Sequence, residues 1–431
     1  MLDKSGGPGS LGPSESFSGL ISQTPASVKT VFNAAEAQAC IKAALDAKQP
    51  VNFRGAGHSF GDHCISDGGV LILNADKSRF DLREDHSVLV SGGFTWTELE
   101  RRLNRHGRRC PVLTNWPDVT VAGTMAFGGF GCSSYSQGSQ VDNVTAIELI
   151  DGSASVRRLG PADHDLWGVA TCASGRLGFI TAVEMSTQPL APHLAQFTLR
   201  PPSVEALTQD LQAVASAASG RFEMMMGQID LNGFKVVIGQ PCEPSASTSP
   251  ALLGPDLGAR DWRDVSMPYA DWFVTMQERA FKPKTAYIWA DYVVAEEHLA
   301  QMLKSTHQMA FAHPGAVAWR PRTRILAMQT KAQAPSPQLL STTRVKNDGI
   351  LYGVGVYLEP HIEDDAAVQH CRHTLHELLE TCLGFGGRPY LSGWHEPDAE
   401  IIADDDLSTA REILARQDND SLMNPGQMPL I

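Results

Sequence analysis

Apolar and polar positions change period along the chain, and the changes mark its elements. Residues 35–45 repeat apolar side chains at helical spacing and predict an amphipathic helix. The alternating run at 50–53, with 70–73 and 87–91, predicts strands. Thr95, with Glu98 three residues later, is placed to cap a helix over 97–106. Strands are expected at 147–150 and 155–159, a helix at 163–170, and a strand through Val183 and Met185. Prolines at 189, 192, 201 and 202 then break the pattern. Beyond them the periodicity predicts a helix at 204–217, strands within 222–239 and an exposed loop at 241–255. Strand character returns at 344–359, and a helix at 368–383 ends at Gly384. A terminal turn at 420–427 is expected to return to the first half.

The mixture of strands and helices places the chain in the α+β class. Its 431 residues exceed one small core, and the break near residue 190 suggests two domains. Residues 1–19, rich in Gly, Pro and Ser up to Ser18, read as a poorly ordered lead and not as a signal peptide. A net charge of −13 argues against nucleic-acid or anionic-membrane partners. No run of about eighteen apolar residues appears, so no membrane span is expected. Eight scattered cysteines, with no CxxC pair, read as free thiols in a reducing compartment, and the cytoplasm is the expected location. No metal-site spacing is present.

The candidate chemistry starts at Arg54-Gly55-Ala56-Gly57-His58-Ser59-Phe60-Gly61-Asp62, directly after a predicted strand. Two glycines around a small residue let the backbone turn sharply and expose N–H groups to one concavity, which suits a phosphate. A second block runs from Trp116-Pro117-Asp118 through Thr120-Val121-Ala122-Gly123-Thr124 to Gly128-Gly129. Small residues at that density suit backbone lying close to a flat ligand. The bland alternative for both blocks is ordinary turn chemistry. Trp394-His395-Glu396 reads as a surface turn, or else as polar groups that select a substrate.

Together these segments resemble the vanillyl-alcohol-oxidase family, with its PCMH-type FAD-binding domain. The segment from Trp116 to Thr124, Gly138 to Val144, Gly178-Phe179-Ile180-Thr181, Gly387 to Leu391 and Asn424-Pro425-Gly426-Gln427 resemble motifs of cytokinin dehydrogenases. The loop at 54–62 resembles that of alditol and aldonolactone oxidases equally well. The resemblance implies an FAD domain at 20–190, a substrate domain with an antiparallel sheet and helices at 191–400, and a segment at 401–431 returning to the FAD domain. It implies FAD held by a single covalent bond to His58, since Pro117, Asp118 and Val119 stand where some relatives carry a second, cysteinyl link. Cys132 reads instead as a buried thiol. The cofactor-binding set implied is Arg54, Gly55, Ala56, Gly57, His58, Ser59, Phe60, Asp118, Thr120, Gly123, Thr124, Gly128, Gly129, Ser134, Val141, Ile180 and Gln427. The TVAGT segment is expected to be a strand.

Asp118 is implied as the catalytic acid or base, and Tyr390 as a residue over the flavin ring. The implied reaction is hydride transfer from a substrate C–H to the flavin, with oxygen or another molecule as final acceptor. Three readings of the small-molecule substrate stay open: an amine, an alcohol or sugar, and a specialised metabolite undergoing cyclisation or desaturation. A flavin-carrying binding protein without turnover is the non-enzymatic alternative.

Overall fold

The structure is a computed structural model. It describes residues 12–61, 63–217, 222–244, 249, 253, 257, 259–275, 282–329, 338–345, 349–395, 404–417 and 421–425, with side chains beyond Trp272 up to Thr275, and those of Gln329 and Asp404, outside the description. Expectations on Asp62, Glu396 and Gln427 lie outside the described residues.

Among the described residues, three larger sheets and a two-stranded pairing of Arg108–Arg109 with Gln188–Pro189 organise the chain. Ser27–Val31, Val70–Asn74 and Val51–Arg54 form a small parallel sheet with Val70–Asn74 central. Helix Ala34–Asp46 buries Ala37, Ile41 and Ala44, the apolar stripe that the spacing predicts. Its N-cap Asn33 accepts the N–H of Glu36 at 2.9 Å. A five-stranded antiparallel sheet follows in the order Phe80–Leu82, Ser87–Ser91, Gly178–Ser186, Val144–Asp151, Val156–Leu159.

The third sheet is antiparallel and has eight strands. Their order is Arg263–Pro268, His193–Leu199, Gly233–Cys242, Met224–Asp230, Arg322–Gln329, Ile350–Leu358, Ile288–Ala295, Arg388–Pro389. Helices Val204–Ala217, Leu299–Thr306 and Asp365–Gly384 pack on it. One apolar core runs from the five-stranded sheet into the eight-stranded one, through side chains such as Trp96, Tyr135, Phe197, Tyr292 and Leu375.

Several expectations change. Residues 12–19, the described part of the expected 1–19 lead, are not loose: Glu15 bridges Ser22, Ser16 and Ser18 are fully buried, and Tyr287 donates its N–H to Ser18 O at 3.2 Å. Hydroxyl pairing inside the turn, Ser16 with Ser18 at 2.8 Å, makes this polar segment self-sufficient. The strand expected from 344 starts at Ile350, because Thr342, Thr343 and Arg344 instead turn back towards the end of the eight-stranded sheet. The loop expected from 241 begins later, since strand pairing with His193 carries Gly233–Cys242 through Pro241. Leu253, within it, is buried. Trp394 is also buried, against Phe60, which removes the surface-turn reading there.

Residues 421–425 lie beside the parallel sheet. Val51 N–H donates to Leu422 O at 2.9 Å, Asn424 N–H to Val51 O at 2.6 Å, and Met423 is fully buried. All eight cysteines are free thiols, six of them buried.

Candidate cofactor and active site

Strand Val51–Arg54 delivers the chain into the first glycine loop at the edge of a cavity of about 540 Å³. That lies within the roughly 300–1,000 Å³ typical of ligand and cofactor sites. Gly57 has φ +74°, the left-handed region, and a Cβ there would collide with the Arg54 guanidinium. Arg54 is buried and donates to Glu15 O at 3.0 Å and Cys64 O at 3.3 Å, so it braces the loop from behind.

The second glycine-bearing segment meets the first head-on. Thr120 caps a short helix, Val121–Met125, by accepting the N–H of Gly123 at 3.3 Å. This is a helix and not the expected strand, because Thr120 is a good cap and the residues after it are small. A Cβ on Gly55 would collide with the Thr120 side chain. Glycine at 55 therefore permits the two loops to close one wall of the cavity.

Of the residues expected at the cofactor, Arg54, Gly55, Ala56, Gly57, His58, Ser59, Thr120, Gly123, Thr124 and Ile180 line this cavity, as does Tyr390. Phe60, Asp118, Gly128, Gly129, Ser134 and Val141 are not among the residues that line it. Gly128 packs against Cys172, Gly129 against Gln140, and Ser134 accepts the N–H of Gly131 at 3.0 Å. Val141 and Phe60 belong to the core. Asp118 is also turned away. Its neighbours Pro117 and Val119 accept the N–H groups of Thr97 and Trp96, which pins the segment along a helix N-terminus. Its carboxylate accepts the Thr97 hydroxyl at 2.5 Å.

The opposite wall is built by the pleat of the eight-stranded sheet. Trp289, Tyr357 and Arg322 stand in one row across three strands, and Asp291, Gly355 and Arg324 in the next row on the same face. All of these except Gly355 line the cavity. A Cβ on Gly355 would strike the Asp291 carboxylate and approach the Tyr357 hydroxyl at 2.8 Å. The glycine thus leaves the hollow in which those two groups meet: the Tyr357 hydroxyl donates to Asp291 Oδ1 at 3.2 Å.

Asp291 is 8% exposed. Burial pushes its carboxyl up to about 7, while the hydrogen bond from Tyr357 pulls the other way. Tyr390 is tethered next to it, its N–H donating to Asp291 O at 2.7 Å, and its ring stacks edge-on to Phe130 at 5.3 Å. Burial, then the Asp291 charge, raises the Tyr390 phenol above its usual value. At the junction of the two walls, Phe17 packs on His58 at 5.0 Å and on Tyr287 at 5.6 Å, and His58 meets Trp116 at 5.2 Å.

Sequence reasoning missed Asp291, Tyr357, Arg324, Trp289 and Phe17. A signal existed for some of them: Asp291 is the one charge in the apolar strand Ile288–Ala295, and Gly353 and Gly355 alternate in Ile350–Leu358.

Comparison with known proteins bears directly on the glycine wall. A family model described as an FAD binding domain matches residues 25–160. The chain carries an FAD-binding domain. Cytokinin dehydrogenase 7 of Oryza sativa subsp. japonica is 26% identical over 230 residues, 51% of this chain and 44% of that protein. Alditol oxidase of a Streptomyces species is 32% identical over 137 residues, 31% of this chain and 32% of that one. The chain thus spans less than half the length of these curated relatives.

Solved structures match over nearly the whole chain. Xylooligosaccharide oxidase from Myceliophthora thermophila, in complex with xylobiose, has a TM-score of 0.78 at 15% identity and covers 95% of this chain and 92% of its own. Chitooligosaccharide oxidase gives 0.77 at 14%, with the same coverage. The fold is accordingly the α+β arrangement of these PCMH-type flavoproteins.

The cavity's chemistry suits FAD. Cβ-free backbone at Gly55, Gly57 and Gly123 offers close approach for a diphosphate, and Phe127, Phe130, Ile180 and Trp116 offer apolar surface for ring systems. Among the described residues no His, Cys, Asp and Glu cluster is arranged to hold a metal, and no helix is long and apolar enough to cross a membrane.

Proposed function

We propose that the chain is an FAD-dependent oxidoreductase that oxidises a small molecule at a carbon bearing a hydroxyl group. The observation that carries this reading is the Asp291–Tyr357 pair, set with Tyr390 on the cavity wall that faces the glycine loops. Bound FAD would supply the hydride acceptor and pass the electrons to oxygen or another acceptor.

The chain's residues would divide the remaining work. Gly55, Gly57, Thr120 and Gly123 hold the diphosphate region, and His58, on the same loop, carries the single covalent bond to the flavin. Tyr357 takes the hydroxyl proton of the substrate as it passes its own phenol proton to the Asp291 carboxylate, and Tyr390 stands beside the pair. A carboxyl at about 7 is matched to proton transfer near neutral pH. Asp118, bound to Thr97 outside the cavity, is replaced in this role.

An amine substrate is the second reading, favoured by the similarity to cytokinin dehydrogenase across half the chain. Anaerobic mixing of the holoprotein with xylitol, cello- or xylo-oligosaccharides and isopentenyladenine separates the two. Bleaching of the flavin by a polyol or sugar is the expected result; bleaching by the adenine alone would overturn the first reading in favour of the second.

A further inference from the structure

On the face of the eight-stranded sheet that carries Trp289 and Asp291, a third row follows. It holds Val293, Gly353 and Leu326, with the glycine in the middle. The ring of Phe130 fills the space that a side chain at 353 would take. A Cβ on Gly353 would stand 2.9 Å from Phe130 Cε2, well inside the roughly 3.5–4.0 Å at which packed carbons rest. Phe130 belongs to the second glycine block, within the FAD-binding domain. A ring of one half is thus keyed into the sheet of the other.

The backbone around Phe130 is tied on both sides. Gln140 N–H donates to Gly129 O at 2.8 Å, and Gly131 N–H donates to Ser134 Oγ at 3.0 Å. A Cβ on Gly131 would strike the Leu113 carbonyl, so the chain passes that point with no room to spare. The buried Phe130 ring meets Tyr390 edge-on at 5.3 Å, and Phe127 meets the same tyrosine at 6.3 Å. Tyr390 is therefore held at two points: its N–H on Asp291 O at 2.7 Å, and its ring against these phenylalanines. Close-packed interiors pass a displaced ring on to its neighbour.

We propose that Phe130, keyed into the notch at Gly353, is a positioning residue for the reaction: it fixes where the Tyr390 ring stands relative to the Asp291–Tyr357 pair. This rests on the reading of that pair as the reacting end of the cavity.

The test reads Tyr390 directly. The holoprotein is prepared with 3-fluorotyrosine and followed by fluorine NMR, and Tyr390→Phe identifies the Tyr390 signal among the seven tyrosines. Gly353→Ala drives a methyl group into the notch and should move that signal. In unlabelled protein, with the compound that bleaches the flavin, it should lower kcat roughly 10- to 100-fold, change KM less and leave FAD content as in the parent. Adding Phe130→Leu gives the methyl the volume that the shorter side chain leaves, and kcat should rise about threefold or more above Gly353→Ala alone. A signal and kcat that Gly353→Ala leaves at the parent's values would overturn the proposal. So would a signal that moves with kcat unchanged, or a double variant no faster than Gly353→Ala, which would trace the loss to the sheet backbone. If Gly353→Ala does not fold, Phe130→Leu decides alone, and the parent's kcat in that variant would overturn the proposal. The fluorine signal needs no substrate, so it reports the packing even where no compound bleaches the flavin, the outcome that would overturn the oxidoreductase reading instead.

Discussion

At the residue scale the account turns on Asp291. If its carboxylate accepts the substrate proton, kcat should rise with pH through about 7 and level off above. Asp291→Asn should lower kcat by roughly 10²- to 10⁴-fold and remove that acidic limb, with FAD content unchanged; a variant that keeps the limb would assign it elsewhere. Stability gives a second, independent readout. The native carboxyl binds its proton more tightly than the unfolded one, so its contribution is full below about pH 4 and lost as pH rises through about 7. Asp291→Asn should therefore melt higher than the parent at pH 8 but not at pH 4, as differential scanning calorimetry would record. The glycine loop with His58 was legible in the sequence because its chemistry is local and contiguous. Asp291, Tyr357 and Arg324 were not, because strand pairing alone aligns residues more than sixty positions apart in the case of Asp291 and Tyr357.

At the element scale, local rules predicted most helices and missed some ends. Thr95 accepts the N–H of Glu98, and Glu98 accepts the N–H of Thr95, a complete capping box that the sequence announces. Thr95→Ala should cost about 1 kcal/mol of stability in denaturant titration. It should also loosen Trp116 to Thr120, since the same helix start binds Pro117 and Val119. The TVAGT segment, a strand on the resemblance alone, is a helical turn because the Thr120 cap and the small residues after it favour one. Gly57→Ala tests the first loop. The left-handed φ and the Arg54 guanidinium behind it oppose a methyl group, so the melting temperature and FAD occupancy should both fall. Normal FAD content in that variant would show that the loop's backbone shape is not required.

At the scale of the whole molecule, segments distant in sequence close the cavity. The turn at 12–24 joins the FAD-side loop, through Arg54 and Glu15, to the eight-stranded sheet, through Ser18 and Tyr287. The sequence reading made residues 1–19 a loose lead because a Gly-, Pro- and Ser-rich composition does not report the hydrogen bonds that order its described part. Phe17→Ala should raise KM more than it lowers kcat, because the ring lines the cavity beside His58 without a proton to transfer. The terminal turn at Asn424 likewise depends on a partner strand that only the fold supplies. A cavity walled by glycine loops on one side and a sheet on the other, with a cofactor filling it, should couple folding to cofactor binding. The most direct measurement is the visible spectrum of the purified protein before and after acid precipitation. The account predicts flavin absorbance that stays with the pellet, as FAD bonded to His58 requires. A colourless protein that fails to bind added FAD would contradict it.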